Sequence, residues 1–445
     1  MRKILILGAG RSASSLIHYL IQHASEQEWR VTIADREEPQ ARSLIPSDTA
    51  VAVAIGLDAT NAEARANIIA EHDLVISMLP AFMHIDVLQD CLRLKKHVIT
   101  PSYVPDALWA MDADFKASGL VVLNEMGLDP GIDHMSAMRI LDRVRGQGGE
   151  MEAFESYTGG LVAPESDTNP WGYKFSWNPR NVVLAGQGGA AKYIRDGVTK
   201  YIPYHKLFQQ TVHIDVPGLG AFDGYANRDS LKYRKAYGIE GIPTLVRGTL
   251  RKAGYCKAWD VFVQLGCTDD GFIMELPASA SWNQYLSAFL SNAKEQDTRS
   301  SLSSYLGIPA SGDVMDMLDW LGLFSDRAIG VEGRSPAATL QHLLEEKWML
   351  GPTDKDLVVM WHRFQYQLDG EQHVLLASLG VIGKDRTQTA MARTVGLPIA
   401  MACKLVLNGK VEERGVLMPL KPSLYNPILD ELEEHGIVFR EEVVG

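Results

Sequence analysis

The stretch Gly8, Ala9, Gly10, Arg11, Ser12, Ala13 stands between a short apolar run, Ile4–Leu7, and a stretch of helical periodicity. Glycine at Gly8 permits a tight turn, Gly10 lets the backbone approach a pyrophosphate, and the small Ala13 lets a helix pack on a strand. The helix N-terminus then offers unpaired N–H groups to phosphates. Arg11 and Ser12 lie inside the turn. Asp35 closes the next apolar run, where a carboxylate accepts the ribose 2′-OH of NAD, while Arg36 beside it suits the 2′-phosphate of NADP. The pattern predicts a nicotinamide dinucleotide, NAD or NADP, with the acid favouring NAD. Asp58, Ile76, Ser77 and Leu128 are expected as further cofactor contacts.

A second concentration of chemistry is "LNEMGLDPGIDH", Leu123 to His134. Gly127, Pro130 and Gly131 enforce a turn with Asp129 at its apex, and Asp133 reads as the cap of the helix that follows. One strand earlier, "VITPSYVP" puts Ser102 and Tyr103 at another strand end, so two carboxyl edges line one cleft. Asp129 and Tyr103 are the titratable groups expected there for acid–base work. His84, His97, His205, His213 and His362 lack metal-ligand spacing, and the cysteines Cys91, Cys256, Cys267 and Cys403 form no CxxC pair; no metal site is expected.

Elements must hold these groups in place. Apolar runs at Ile4–Leu7, Val31–Ala34, Val51–Ile55, Leu74–Ser77, His97–Thr100 and Leu120–Leu123 alternate with helical stretches, which predicts a six-strand, doubly wound parallel sheet. After the glycines at 146–149 the texture turns Gly-, Pro- and aromatic-rich. Trp171, Tyr173, Phe175 and Trp177 alternate as in a strand. The expected fold is α/β: a Rossmann domain at 1–130, with 385–420 packing back on it, and an α+β substrate and dimerisation domain at 131–278 and 351–384. That second domain has a mostly antiparallel sheet, and 279–350 forms a small helical insertion. An Asp369-Gly370 turn marks a hairpin, Pro398 is placed to open a helix that stops at Asn408-Gly409, and the acidic tail reads as a solvated helix and final strand.

With 445 residues, 46% hydrophobic and 22% charged, the chain can bury more than one core. A formal net charge of −12 without a basic run disfavours nucleic acid as a partner. No window reaches the ~18 uninterrupted apolar residues of a membrane span. The N-terminus lacks a signal-peptide pattern, and with the scattered cysteines this leads to an expected cytoplasmic location.

"GLDPGIDH", "SYV", "GGLVAPESDTNPWGYKFSW", "NRDS" and "VRGTLR" occur in this order over nearly the whole chain. Together they resemble the saccharopine dehydrogenases of the glutamate-forming type. The resemblance implies oxidation of the CH–NH bond of saccharopine to L-glutamate and 2-aminoadipate 6-semialdehyde, with hydride transfer to NAD(P), in a homodimer. It also implies that Ser102, Tyr103, Asp129, Arg228, Thr249, Leu250 and Arg251 contact saccharopine and that Trp177 lies near the cofactor; Arg228, Arg251 and Lys174 are then the candidate cations for its three carboxylates. Three features depart from the fungal relatives: Thr158 stands in place of a cysteine, the turn reads GAGRSA, and Asp35 stands in the nucleotide segment. Two alternatives remain at this level. A carboxynorspermidine-type dehydrogenase is disfavoured because Arg228 and Arg251 suit a tricarboxylate better than a polycation. A non-catalytic nicotinamide-binding regulator would have no use for Tyr103, Asp129 and Arg228.

Overall fold

A computed structural model describes residues 1–291 and 297–444. The chain divides into two compact units. The first comprises Met1–Glu150, Gln367–Glu371 and Leu379–Arg440; the second comprises Met151–Tyr366, Gln372–Ser378 and the C-terminal end from Glu441.

In the first unit the expected runs form parallel strands β1 (Arg2–Leu7), β2 (Trp29–Asp35), β3 (Ala52–Gly56), β4 (Leu74–Ser77), β5 (His97–Ile99) and β6 (Val121–Leu123). A seventh strand, Gly415–Leu417, joins beyond β6, and the order runs from it through β6, β5, β4, β1 and β2 to β3. The order reverses at β1, so the ends of β1 and β4 flank the switch point where ligands of such sheets bind. Leu5, Leu7, Val75, Val98 and Val122 form one apolar core beneath it.

Three helices position the site: α1 (Ser14–His23) after β1, α2 (His84–Leu94) after β4 and α3 (Ile132–Gly146) after β6. The expected division put 132–146 in the second domain; α3 lies in the first unit. The helix assigned to Pro398 begins earlier, at Ala390, because the Thr389 hydroxyl accepts the N–H of Ala392 and caps it there. Pro398 is therefore interior to the helix Ala390–Leu407. This helix has the length and mean hydropathy (1.5) of a membrane span, but 72% of it is buried. Its Gly396 meets α1 so closely that a Cβ there would stand 2.7 Å from the Leu16 nitrogen.

The second unit is built on a mixed sheet. β7 (Glu150–Val162) runs parallel to β12 (Thr244–Lys252), while β10 (Thr211–Val216), β11 (Gly220–Ala226) and β12 are successively antiparallel. The pair β8 (Ala191–Arg195) and β9 (Val198–Ile202) branches from β12 at Leu245. β13 (Asp356–Leu368) and β14 (Glu371–Ile382) are joined through Asp369 and Gly370, both at positive φ as a two-residue hairpin turn requires. Helices between Trp282 and Trp348 share one core with this sheet: Trp348 packs edge-on to Trp171 and Tyr173, each at 5.2 Å. The alternating aromatics of 171–177 are not a strand. Phe175 makes one isolated bridge to Met349, and the segment is fixed by ring packing instead.

Candidate functional site

The glycine turn is built as its spacing requires. Gly8 has φ +101°, and a Cβ there would stand 3.0 Å from the Met78 carbonyl at the end of β4. At Gly10 the Cβ position faces open space, and no side chain caps the α1 N-terminus. A helix N-terminus without a side-chain cap beside an open glycine fits the pyrophosphate of a dinucleotide. Gly10, Arg11, Ser12, Asp35, Arg36 and Asp58 are at least partly exposed, while Gly8 and Ala13 are buried as supports of the turn. Ile76 is fully buried in β4 and offers a ligand no surface. Leu128 is nearly so, at 5% exposure.

Asp35 is used locally. Its carboxylate accepts the N–H of Ala9 at 2.7 Å and that of Glu37 at 3.0 Å, tying β2 to the glycine turn. Asp58 also serves its own loop: its Oδ1 accepts the hydroxyl of Thr60 at 2.7 Å and its N–H at 3.0 Å, and these bonds lower its pKa.

The ends of β4, β5 and β6 are stitched together by side chains. Ser77 Oγ lies 2.8 Å from His84 Nδ1, and His84 Nε2 lies 2.7 Å from Ser102 Oγ and 3.3 Å from Thr100 Oγ1. Burial pushes the His84 pKa down to about 4, so the ring is neutral at physiological pH. Sequence reasoning passed over His84, because its partners are 7 and 18 residues away and belong to different strand ends. The Ser102 carbonyl accepts the N–H of Glu125 at 3.1 Å, which joins the β5 loop to the β6 loop.

In the LDPG turn, Gly127 N bonds Pro130 O at 2.9 Å, and a Cβ on Gly131 (φ +148°) would stand 2.0 Å from the Gly127 carbonyl. The Asp129–Pro130 peptide is cis. Asp133 Oδ1 accepts the N–H of Gly131 at 2.6 Å; Asp133 is not the expected cap, because Gly131 holds the cap position and Asp133 lies in the first helical turn. Beneath lies a buried pair, Glu125 Oε2 to His134 Nε2 at 2.7 Å, with Glu125 Oε1 also accepting the Val104 N–H at 3.0 Å. Leu128 and Pro130 are buried, whereas Ser102, Tyr103 and Asp129 are half-buried at the edge.

The remaining expected residues are on the second unit. Arg251 is 4% exposed, and its guanidinium carbon lies over the rings of Tyr173, Tyr255 and Tyr225 at 5.3, 5.5 and 5.9 Å. One terminal nitrogen donates to the Leu250 carbonyl at 2.9 Å; Nε has no partner, and no carboxylate pairs with it among the described residues. Thr249 is half-buried, and Leu250 is fully buried, with no surface for a ligand. Thr158 lies opposite Thr249 in the β7–β12 register, and its buried hydroxyl has no partner. Arg228, exposed at φ 48°, and half-buried Trp177, which donates to the Tyr173 hydroxyl at 3.3 Å, are on the same unit. Lys174 is not an available cation, since its ammonium is paired with Asp354 at 2.6 Å.

Residues 4–123 match the saccharopine dehydrogenase NADP binding domain, and residues 127–437 match the saccharopine dehydrogenase C-terminal domain. The chain is 36% identical over 454 residues to a saccharopine dehydrogenase (NADP(+), L-glutamate-forming) of Pyricularia oryzae, covering 100% of this chain and 99% of that one. It is 33% identical to the mitochondrial alpha-aminoadipic semialdehyde synthase of Bos taurus, covering 98% of this chain and 47% of the larger protein. Its structure superposes on the apo saccharopine dehydrogenase (L-Glu forming) from Saccharomyces cerevisiae with a TM-score of 0.88 and 34% identity, over 100% of both chains. The NAD preference drawn from Asp35 finds no support in these relatives, whose names carry NADP(+). Its physical basis is also weakened, because that carboxylate already holds two backbone amides. Two family models in series and full-length likeness in sequence and structure place this chain in the saccharopine dehydrogenase family.

Proposed function

We propose that the protein oxidises saccharopine with NADP, reversibly, to give L-glutamate and 2-aminoadipate 6-semialdehyde. The names of its full-length relatives support this reaction and this nucleotide. The single structural observation that carries the reading is Arg251. Two other buried cations are neutralised within the protein, Arg65 by Asp90 at 2.8 Å and Lys174 by Asp354 at 2.6 Å. A buried guanidinium without a carboxylate calls for an anion from outside. Saccharopine carries three carboxylates, and the Arg fork takes one bidentately.

The turn Gly8 to Ala13 would hold the nucleotide, which would supply the hydride acceptor for the carbon beside the secondary nitrogen. In this reading, the chain holds and orients the carboxylates through Arg251, Arg228 and Thr249. On the first unit, Asp129 or Tyr103, beside Ser102, would take the proton of the secondary amine and deliver water to the resulting imine. Exposed Arg36 would hold the 2′-phosphate of NADP. Homodimer assembly in a cytoplasmic setting completes the proposal. Initial rates with saccharopine and each oxidised nucleotide test it. Turnover with NADP at a kcat/KM well above that with NAD, with glutamate as product, is expected; turnover with neither overturns it.

A further inference from the structure

The Ser77, His84 and Ser102 chain carries information about which way its protons point. Ser77 is 1% exposed, and among the described residues its hydroxyl has His84 Nδ1, at 2.8 Å, as its partner. A buried hydroxyl must place its proton on an acceptor, so Ser77 donates and Nδ1 accepts. The neutral ring then carries its proton on Nε2. That N–H donates to Ser102 Oγ at 2.7 Å, with Thr100 Oγ1 at 3.3 Å from the same nitrogen. Ser102 is otherwise held by its backbone: its N–H donates to Thr100 Oγ1 at 3.3 Å, and its carbonyl accepts from Glu125 N and Asn124 Nδ2 at 3.1 and 3.4 Å. With a lone pair of Ser102 Oγ occupied by His84, its own O–H is left to donate outward from a half-buried position.

We propose that His84 is a positioning residue that fixes Ser102 as a hydrogen-bond donor, so that this point of the site selects a substrate carboxylate over an ammonium. The opposite tautomer would turn Ser102 into an acceptor and reverse the choice. This matters for a substrate with both kinds of group, and it rests on saccharopine being that substrate. The ring, buried against three hydroxyls, keeps its neutral form over the working pH range, so the donor setting does not change with pH.

Two readouts test this. In two-bond proton–nitrogen spectra of protein labelled at its histidine nitrogens, with His84→Gln giving the assignment, His84 is expected as the Nε2–H tautomer with a pyridine-type Nδ1. The Nδ1–H tautomer overturns the proposal whatever the protein turns over. In kinetics, His84→Ala is expected to raise the saccharopine KM about tenfold, with kcat and nucleotide affinity within about twofold. His84→Gln, which keeps an N–H for Ser102, should recover most of the loss. Ser102→Ala should reproduce it, and His84→Ala should then cost nothing more in the Ser102→Ala background. An undiminished loss in that background overturns the positioning role. Absence of saccharopine turnover by the wild type would instead overturn the functional reading, leaving the tautomer decided by the spectrum. Should His84→Ala fail to fold, His84→Gln and the wild-type spectrum decide the same point.

Discussion

The carboxylate of Asp35 accepts the backbone N–H of Ala9 at 2.7 Å, so the acid that closes β2 is a structural support of the glycine turn. Removing it leaves the buried Ala9 amide without its acceptor, at about 1–3 kcal/mol. Asp35→Ala is therefore expected to weaken NAD and NADP by similar factors. Arg36→Ala should weaken NADP alone, by about 1–2 kcal/mol. Nucleotide titrations of both variants check this. A gain in NADP affinity on Asp35→Ala would show that the carboxylate faces the ribose after all.

Arg251 stands in a cage of three tyrosines with no acid to neutralise it among the described residues. Arg251→Ala should weaken saccharopine by about 2–4 kcal/mol, the range for losing a charge-assisted contact in an enclosed site, with nucleotide affinity unchanged. Arg251→Lys should recover little, because a point charge cannot reproduce the planar fork. Saccharopine and nucleotide affinities measured separately decide the matter, and equal losses for both ligands would remove Arg251 from the substrate side.

Lys174 and Asp354 form an ion pair with side-chain exposures of 9% and 18%. Burial alone would raise the Asp354 pKa, but the bonds from Lys174 and from the Gly351 N–H outweigh it and hold the carboxyl below its usual range. A depressed carboxyl pKa contributes stability that is present above the ordinary Asp range and is lost as pH falls through the lowered value. Asp354→Asn should destabilise the protein at neutral pH by about 2–3 kcal/mol and flatten its loss of stability in acid. Urea denaturation at neutral and acid pH tests both parts. A variant as acid-sensitive as the wild type would show that the pair is not responsible.

β1 to β6 were legible because each is an apolar run bounded by glycine, proline or acid; in β4 and β6 burial on both faces of the parallel sheet writes itself into consecutive residues, while β3 at the edge is only partly buried. Gly415–Leu417 was not, being a three-residue strand whose place is set by pairing with β6. Pro398 misled because proline suits both a first helical turn and, at some cost, an interior; Thr389 decided the start. Arg251 was named from resemblance, but its cage is assembled from positions 173, 225 and 255, which no local pattern links. His84 shows the same limit, since a hydroxyl–imidazole–hydroxyl chain exists only once the ends of β4 and β5 and the start of α2 are side by side.

The most direct measurement uses saccharopine deuterated at the methylene carbon beside its secondary nitrogen, incubated with the protein and oxidised NADP. The expected result is deuterium on the reduced nicotinamide, one deuterium retained in 2-aminoadipate 6-semialdehyde, and an equal amount of unlabelled glutamate. Release of 2-oxoglutarate and fully labelled lysine, or no transfer of deuterium to the nucleotide, would contradict the assignment.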